Sequence, residues 1–567
     1  MTQPLILPPG IDAPTFARYL DEVRGIVGAD NIDIITGEHQ FVKTDYMDPA
    51  KEHDMHPVFD KDYFVSSAVV APRSVPELQA IMKVCNDFKV PVWPFSIGRN
   101  IGYGGTAPRV PGSVGLDMGR HMDRVLEVNE KDAYCLVEPG VTFHDLYDDL
   151  VRRGLEDKLW IDVPDLGGGS VIGNTIERGV GYSPYGDHWM MHCGLEVVLP
   201  NGELVRTGMG ALPEPGADQG QSPDQQKPNR CWQLFNYGFG PYHDGIFSQS
   251  NYGIVTKMGL WLMPNPGGYQ AYSITFEKED DLPAIVETVR QLRICMIIQN
   301  VATIRSLLLD AACLDTKEGY CPGVKDRALN EAEMDDIQRK TGLGRWIFYG
   351  ALYGPDPVRD ALWGAIKGAF SQIPGVKFYL HEEGRPAPGV LDIRSKTMRG
   401  IPTYDELKWV DWVPNGAHFF FSPIAEVRGD AATKQYQISK KRLVEAGFDV
   451  IVDFIIGMRE MHHIICVVYD RTKPEERARA VEVVRRLIDE CAAEGWGECT
   501  YNFNDNALMK LSEKIKDTLD PNGILAPGKN GVWPSTYDKS KWQLKAGSAV
   551  TRDSIPKTPG IPRPSKL

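Results

Sequence analysis

Residues 94–105 read Pro94-Phe-Ser-Ile-Gly-Arg-Asn-Ile-Gly-Tyr-Gly-Gly105 and follow a short apolar run, Val90-Pro-Val-Trp93. The run has the composition of a strand, and the glycines mark a loop after it. Such a loop offers several backbone amides at close approach, and Arg99 adds a cation; this is suitable chemistry for a pyrophosphate. Asp165-Leu-Gly-Gly-Gly-Ser-Val-Ile-Gly-Asn174 repeats the theme. Neither stretch has the Gly-x-Gly-x-x-Gly spacing of a doubly wound dinucleotide fold. Either alone reads as an ordinary tight turn. Together they favour a dinucleotide held by loops in an extended conformation.

Working outward, an opening helix is predicted over 13–27, with Phe16, Tyr19, Leu20, Val23 and Ile26 on one stripe. Ser74-Val-Pro-Glu77 reads as a capping box with proline in the first turn, starting a helix with Leu78, Ile81, Met82 and Cys85 inward. Short strands near 125–138 and a capped helix from Thr142 follow. Glu196–Val205 reads as a hairpin with Asn201-Gly202 at its turn, and 212–230 is polar and loop-like. Pro264-Asn-Pro-Gly-Gly268 marks a domain boundary near 268. Beyond it, Ser273–Phe276, Trp346–Phe348 and Ile464–Tyr469 read as strands of an antiparallel sheet, with helices at 282–294, 356–371, 434–446 and 474–494. The first half reads as an α/β or α+β domain and the second as α+β with antiparallel strands.

The chain has 567 residues, which allows about two to four domains at roughly 150 residues each. Its formal charge of −14 disfavours nucleic acid as a partner. No apolar run is long enough to span a bilayer, and the N-terminus lacks the basic and apolar regions of a signal peptide. Ten cysteines are scattered without CxxC pairs, which argues for free thiols rather than zinc or disulfides. Gly523-x4-Gly528-Lys529 resembles a phosphate loop, but Asn530 stands where Ser or Thr must be, and Pro527 removes an amide. His188-x3-His192, His53-x2-His56 and His462-His463 make no convergent metal set, so no metal is expected.

Several longer segments carry a specific resemblance. PFSIGRNIGYGG (94–105), WIDVPDLGGGSVIGNTIERGVGYSPYGDHWMMH (160–192), FSQSNYGIVTKMGLWLMPNP (247–266) and DPNGILAPGKNGVWP (520–534) resemble FAD-binding segments of the vanillyl-alcohol oxidase family. GIPTYDELKWVDWVPNGAHFFFSPIA (400–425) and GMREMHHIICVV (457–468) resemble its cap-domain segments. The resemblance implies a two-domain fold of that type: an FAD-binding domain over 1–268, to which 501–544 returns, an α+β cap over 269–500, and a flexible tail over 545–567. It implies FAD joined through its 8α-methyl to His418, with His56 activating the linking imidazole. Cofactor contacts would come from Ser96, Ile97, Gly98, Arg99, Asn100, Gly169, Ser170, Gly173, Asn174, Glu177, Gly181, Ile254 and Lys529.

The implied substrates are para-substituted phenols, such as vanillyl alcohol and 4-alkyl- or 4-allylphenols like eugenol. Hydride leaves the para carbon, a quinone methide forms, and O2 reoxidises the flavin to give hydrogen peroxide. Tyr103 would bind the phenolate and Asp165 would serve as the carboxylate near the flavin. Glu406 would be a second carboxylate, with Tyr182 also at the catalytic centre. Dimers assembling into octamers are implied as well. One departure stands out. The family carries a Tyr-Arg pair after a Trp-Gly-Glu segment, whereas Trp496-Gly-Glu498 is followed here by Cys499-Thr500, so the pocket is expected to lack a guanidinium. A phenol-oxidising dehydrogenase, and a flavin protein with impaired activity, are the alternatives.

The chain ends in Ser565-Lys566-Leu567, a peroxisomal address read by an import receptor when presented on a flexible tail. In a host with peroxisomes, removal of these three residues is expected to leave a fluorescent fusion in the cytosol. Unchanged punctate import would rule the signal out.

Overall fold

The structure is a computed structural model. It describes residues 5–35, 64–99, 106–383, 388–497 and 503–542. His56, Asn100, Tyr103, the Cys499-Thr500 departure and the terminal signal lie outside the described residues.

The opening helix runs Ala13–Val27. Asp12 caps it by accepting the Thr15 amide at 2.8 Å, and Gly28 ends it at φ +82°. The second helix, Val75–Phe88, starts as expected with Ser74 accepting the Glu77 amide, but the reciprocal half of the box is displaced. The Glu77 carboxylate takes the amide of Arg73 at 2.8 Å, because the Arg73 guanidinium also binds it and draws it one residue upstream. The box at Thr142–Asp145 is complete.

Strands β1 (Ile32–Ile34), β2 (Ala68–Val70), β3 (Val92–Phe95) and β4 (Val114–Asp117) form a sheet in the order β1-β2-β4-β3, with β4 parallel to both β2 and β3. A second, antiparallel sheet contains β5 (Val125–Asn129) and β6 (Tyr134–Val137). After the short β7 (Leu159–Trp160), it is completed by β8 (His192–Val198), β9 (Leu204–Arg206) and β10 (Ile254–Trp261), in the order β5-β6-β10-β8-β9. The predicted hairpin is the β8–β9 pair. β11 (Met263–Pro264) pairs back onto β7.

From Tyr269 the chain enters a different sheet. It contains β12 (Tyr269–Phe276), β13 (Ala302–Ser306), β14 (Trp346–Tyr353), β15 (Lys377–Leu380), β16 (Gly416–Phe421), β17 (Ile424–Glu426), β18 (Ile451–Ile456) and β19 (Glu460–Asp470). The order is β15-β12-β14-β13-β18-β19-β16, with β17 also on β19, and every pair is antiparallel. Strand alternation divides its side chains. Ile304, Phe348, Phe419, Val452 and Phe454 pack on one face beneath the helices Leu282–Ile294, Asp356–Phe370, Gly429–Glu445 and Pro474–Ala493. The helix expected from 434 begins at Gly429. Arg305, Tyr349, His418, Asp453 and Cys466 therefore point to the other face, toward the first domain's glycine loops. The helices Leu307–Leu314 and Leu391–Thr397 and the 3₁₀ segment Asp405–Trp412 lie on that side.

The C-terminal segment goes back to the first domain. Val92 pairs with Leu525 as a parallel bridge, and Tyr252 donates to the Ser512 carbonyl. The helix Phe503–Leu519 opens with Asn504, Asp505 and Asn506 at positive φ. Lys516 holds the junction: its fully buried ammonium lies 2.7 Å from Asp520 and donates to the carbonyls of Asn251 and Leu525 at 2.6 Å. Burial alone would discharge this ammonium and lowers its pKa, against the pull of Asp520. The cysteines expected to be free are so where described; Cys85, Cys135, Cys193, Cys313, Cys321, Cys466 and Cys491 are buried. No helix among the described residues is long and apolar enough to cross a membrane.

Breaking a buried ion pair costs about 3–5 kcal/mol. Lys516→Ala should lower unfolding stability by that order in denaturant titration, whereas a loss within ~0.5 kcal/mol would show that the junction does not depend on this charge.

Candidate active site and flavin cradle

The cap supplies the centre of the site. Arg305 on β13 and Arg394 on the helix Leu391–Thr397 are 2% and 1% exposed. Arg305 donates through Nε to Asp310 at 2.5 Å and through Nη1 to Glu406. Arg394 Nη2 lies 2.5 Å from the same Glu406 oxygen, and its Nη1 lies 3.4 Å from Asp165 Oδ1. The Arg394 guanidinium covers the Tyr182 ring at 4.0 Å, and the Tyr182 hydroxyl donates to Asp165 Oδ2 at 2.8 Å. Asp165, Tyr182 and Glu406, placed by the sequence at one centre, are thus brought together, and Arg394 is the residue that joins them.

The charge balance is acidic. Two guanidinium groups face the carboxyls of Asp165, Asp310, Glu406 and Asp453 in a low-dielectric interior, where unneutralised charge is expensive. Burial pushes Glu406 up to about 8 against the pull of Arg394, and the neighbouring Asp165 adds to the rise. Burial also pushes Asp453 up to about 7, opposed by Arg305 and Arg394. Burial and the charge of Asp165 hold the Tyr182 phenol well above its usual range, so it acts as a neutral donor.

The glycine loops form a cradle around one region. Gly98, at φ +72°, lies so close to Thr106 that a Cβ would stand 2.4 Å from its methyl group. A Cβ on Gly173 would stand 2.6 Å from Ser96 Oγ, which shows that the 94–99 and 165–174 loops meet. Ser170 caps the helix Val171–Ile176 by accepting the Gly173 amide at 3.0 Å, and donates to the Pro139 carbonyl. Gly169 lies just before this cap. Asn174 faces His188 at 2.5 Å, and a Cβ on Gly181 would run into Asp162, the other partner of His188. His188 and His192 are buried hydrogen-bonded histidines, as expected. Among the described residues no cluster of His, Cys, Asp or Glu could hold a metal ion.

One cap segment ties loops and cluster together. Thr403 accepts the Gly167 amide at 3.2 Å. Tyr404 fills the space beside Gly168, where a Cβ would stand 2.3 Å from its hydroxyl. Glu406 joins the guanidinium groups, and Trp409 contacts His418 edge-on at 4.7 Å. His418 is on β16 and 1% exposed. The cradle has polar atoms fit for a ligand. Thr175 Oγ1 and His144 Nε2 are buried without a hydrogen-bond partner among the described residues. A narrow space that excludes any Cβ and presents such atoms suits a phosphate-bearing dinucleotide. Ser96, Ile97 and Arg99 border it. Glu177 and Lys529 instead pair with each other at 2.6 Å, and the Ile254 side chain packs in the first domain's core.

Residues 66–208 match the FAD binding domain family and 415–530 the C-terminal domain of FAD linked oxidases. Over 544 residues the chain is 37% identical to the flavoprotein subunit of 4-cresol dehydrogenase [hydroxylating] from Pseudomonas putida, covering 93% of this chain and 98% of that protein. It belongs to the vanillyl-alcohol oxidase/p-cresol methylhydroxylase family of FAD-binding enzymes. Two solved structures agree. The 4-ethylphenol oxidase of Gulosibacter chungangensis, in complex with isoeugenol, has 40% identity and a TM-score of 0.85. A p-cresol methylhydroxylase with substrate bound has 35% identity and a TM-score of 0.83. Each alignment covers 93% of this chain and 99% of the other. The two-domain α+β FAD-binding fold expected from the sequence is the fold of these proteins.

The departure after Glu498, where one guanidinium is expected to be lost, lies outside the described residues; two other guanidinium groups, those of Arg305 and Arg394, stand in the described part of the site. Arg305, Asp310, Arg394 and Asp453 were not singled out from the sequence, although a signal existed: Arg305 and Asp453 interrupt the apolar strands Ala302-Thr-Ile-Arg-Ser306 and Ile451-Val-Asp-Phe454. A charge in a buried strand marks either a partner or a function.

Because Glu406 has a higher pKa folded than unfolded, its contribution to stability is present below about 4.5 and lost as pH rises toward about 8. Wild type should lose stability relative to Glu406→Gln across that window in calorimetry. A constant difference between the two would contradict a raised Glu406.

Proposed function

We propose that this protein oxidises para-substituted phenols, with vanillyl alcohol and 4-alkyl- or 4-allylphenols as substrates, and passes the electrons through FAD to O2 with release of hydrogen peroxide. The observation that carries the reading is the Asp165–Tyr182–Arg394–Glu406 cluster, buried except for the half-buried Asp165, and bound by residues 403–409 both to the glycine loops and to His418. The names of the relatives, a 4-cresol dehydrogenase and a 4-ethylphenol oxidase, support the substrate class.

A free phenol ionises near pH 10, so a site that uses the phenolate must stabilise the anion. A buried guanidinium contributes that stabilisation, and Tyr103, which the family resemblance assigns to the phenolate, would contribute a hydroxyl donor. FAD, when bound, would accept the hydride that leaves the benzylic carbon of the para substituent. The chain's own groups handle the protons. Asp165, oriented by the Tyr182 hydroxyl, accepts one from the substrate alcohol or from the water that adds to the quinone methide. Glu406, held protonated near neutral pH, supplies the buffering carboxyl beside it. The walls of the pocket, Trp409 and Phe420 against His418, are apolar and exclude bulk water. We further propose that His418 carries FAD covalently and that the protein works in peroxisomes as an oligomer.

Anaerobic mixing with vanillyl alcohol or 4-ethylphenol should bleach the flavin, and admission of air should restore it with one peroxide per turnover. Bleaching without recovery in air would favour a dehydrogenase with another electron acceptor. A flavin that no phenol bleaches would favour an impaired enzyme. After acid precipitation, flavin should stay with the wild-type polypeptide and be released from His418→Ala; free flavin from wild type would refute the linkage.

A further inference from the structure

Among the described residues Asp310 has no hydrogen bond or ion pair to the glycine loops or to Asp165, yet two separate routes lead from it to Arg394. Along the first, its carboxylate accepts Arg305 Nε, Arg305 binds Glu406, and Glu406 binds Arg394. Along the second, it accepts the Tyr349 hydroxyl, which itself accepts the Val390 amide at 3.0 Å. Val390 is the N-cap of the helix Leu391–Thr397, which carries Arg394. Gly389 makes the second route possible. Its φ is +71°, and a Cβ there would stand 2.3 Å from the Tyr349 hydroxyl and 2.6 Å from Asp310 Oδ2. Asp310 is completely buried on the helix Leu307–Leu314, so such a carboxylate needs the partners it has.

We propose that Asp310 is a positioning residue for the phenol-oxidising site: it anchors Arg394 against Asp165 and Tyr182 by these two routes and sets how strongly Arg305 acts on Glu406. The proposal rests on the reading of the site given above. Its physical basis is charge sharing. Arg305 divides its field between Asp310 on its own domain face and Glu406 from the Asp405–Trp412 segment. Neutralising Asp310 leaves that field to Glu406 and favours the ionised form of Glu406. The other groups facing Glu406 are Arg394 from its helix, Asp165 from the glycine loop, Tyr182, and Cys313 on the same helix as Asp310. An isosteric change at Asp310 removes one negative charge and leaves the charges of these groups as they are, so the direct shift has one sign. The acid form of Glu406 should be lost at lower pH.

The test uses flavin-loaded Asp310→Asn and Tyr349→Phe in two measurements. In an infrared pH titration without substrate, with Glu406→Gln to assign the band, Asp310→Asn should lower the midpoint of the buried acid by about one pH unit. In anaerobic flavin reduction by 4-ethylphenol, the pH profile should shift by the same amount. Tyr349→Phe cuts only the second route; it should slow reduction about tenfold without lowering either midpoint. Unshifted midpoints in Asp310→Asn, with only reduced thermal stability, would make Asp310 merely structural and overturn the proposal. If Asp310→Asn does not fold, Tyr349→Phe decides: slower reduction without a lowered midpoint supports the anchor, and a wild-type rate overturns it. If wild-type flavin is not reduced by any phenol, the functional reading fails by itself, while the infrared midpoints of Asp310→Asn and wild type still decide the role of Asp310.

Discussion

The shared grip of Arg305 and Arg394 on one oxygen of Glu406 is the contact on which the site depends. Two guanidinium groups with almost no exposure need close counter-charges, and the counter-charges come from four parts of the chain: Asp165, Asp310, Glu406 and, less directly, Asp453. The cluster therefore welds the cap to the glycine loops. It also fixes the chemistry, because more carboxyls than cations in a dry interior means that protons stay in the site at neutral pH.

This weld explains the layering. The eight-stranded cap sheet packs one set of alternate residues, nearly all apolar, under four helices; the other set mixes apolar residues such as Ile347, Ile451 and Val468 with the charged groups of the site. A strand cannot rotate one residue without exchanging the two sets. Arg305 on β13, His418 on β16 and Asp453 on β18 thus share a face for the same reason that Ile304, Phe419 and Phe454 share the opposite one. On the first-domain side, the absence of a side chain at Gly173 lets two loops close on each other. The cofactor region lies between a face of placed charges and loops of bare backbone.

Much of the architecture was legible in the sequence because it is encoded locally. The helices Ala13–Val27 and Phe143–Arg153, the β8–β9 turn and the change of character at 268 follow from caps, apolar period and turn residues, all interactions within a few positions. The glycine clusters, His418, Asp165, Tyr182 and Glu406 were recognisable from their segments. The displaced capping box at Ser74 was not, since it depends on how the Arg73 side chain competes for Glu77. Nor were the cations of residues 305 and 394, because each is an isolated charge whose partners come from distant parts of the chain.

The sequence by itself determined the family and the α+β class, because each is carried by contiguous motifs. Only the tertiary structure decided which charges meet. Asp165 reaches Arg394 across more than two hundred residues, Arg305 reaches Glu406 across 101, and Asp310 acts through both. Whether a buried carboxyl keeps its proton depends on the distance to such partners and on the water removed around them, and neither quantity exists until the cap has closed on the glycine loops.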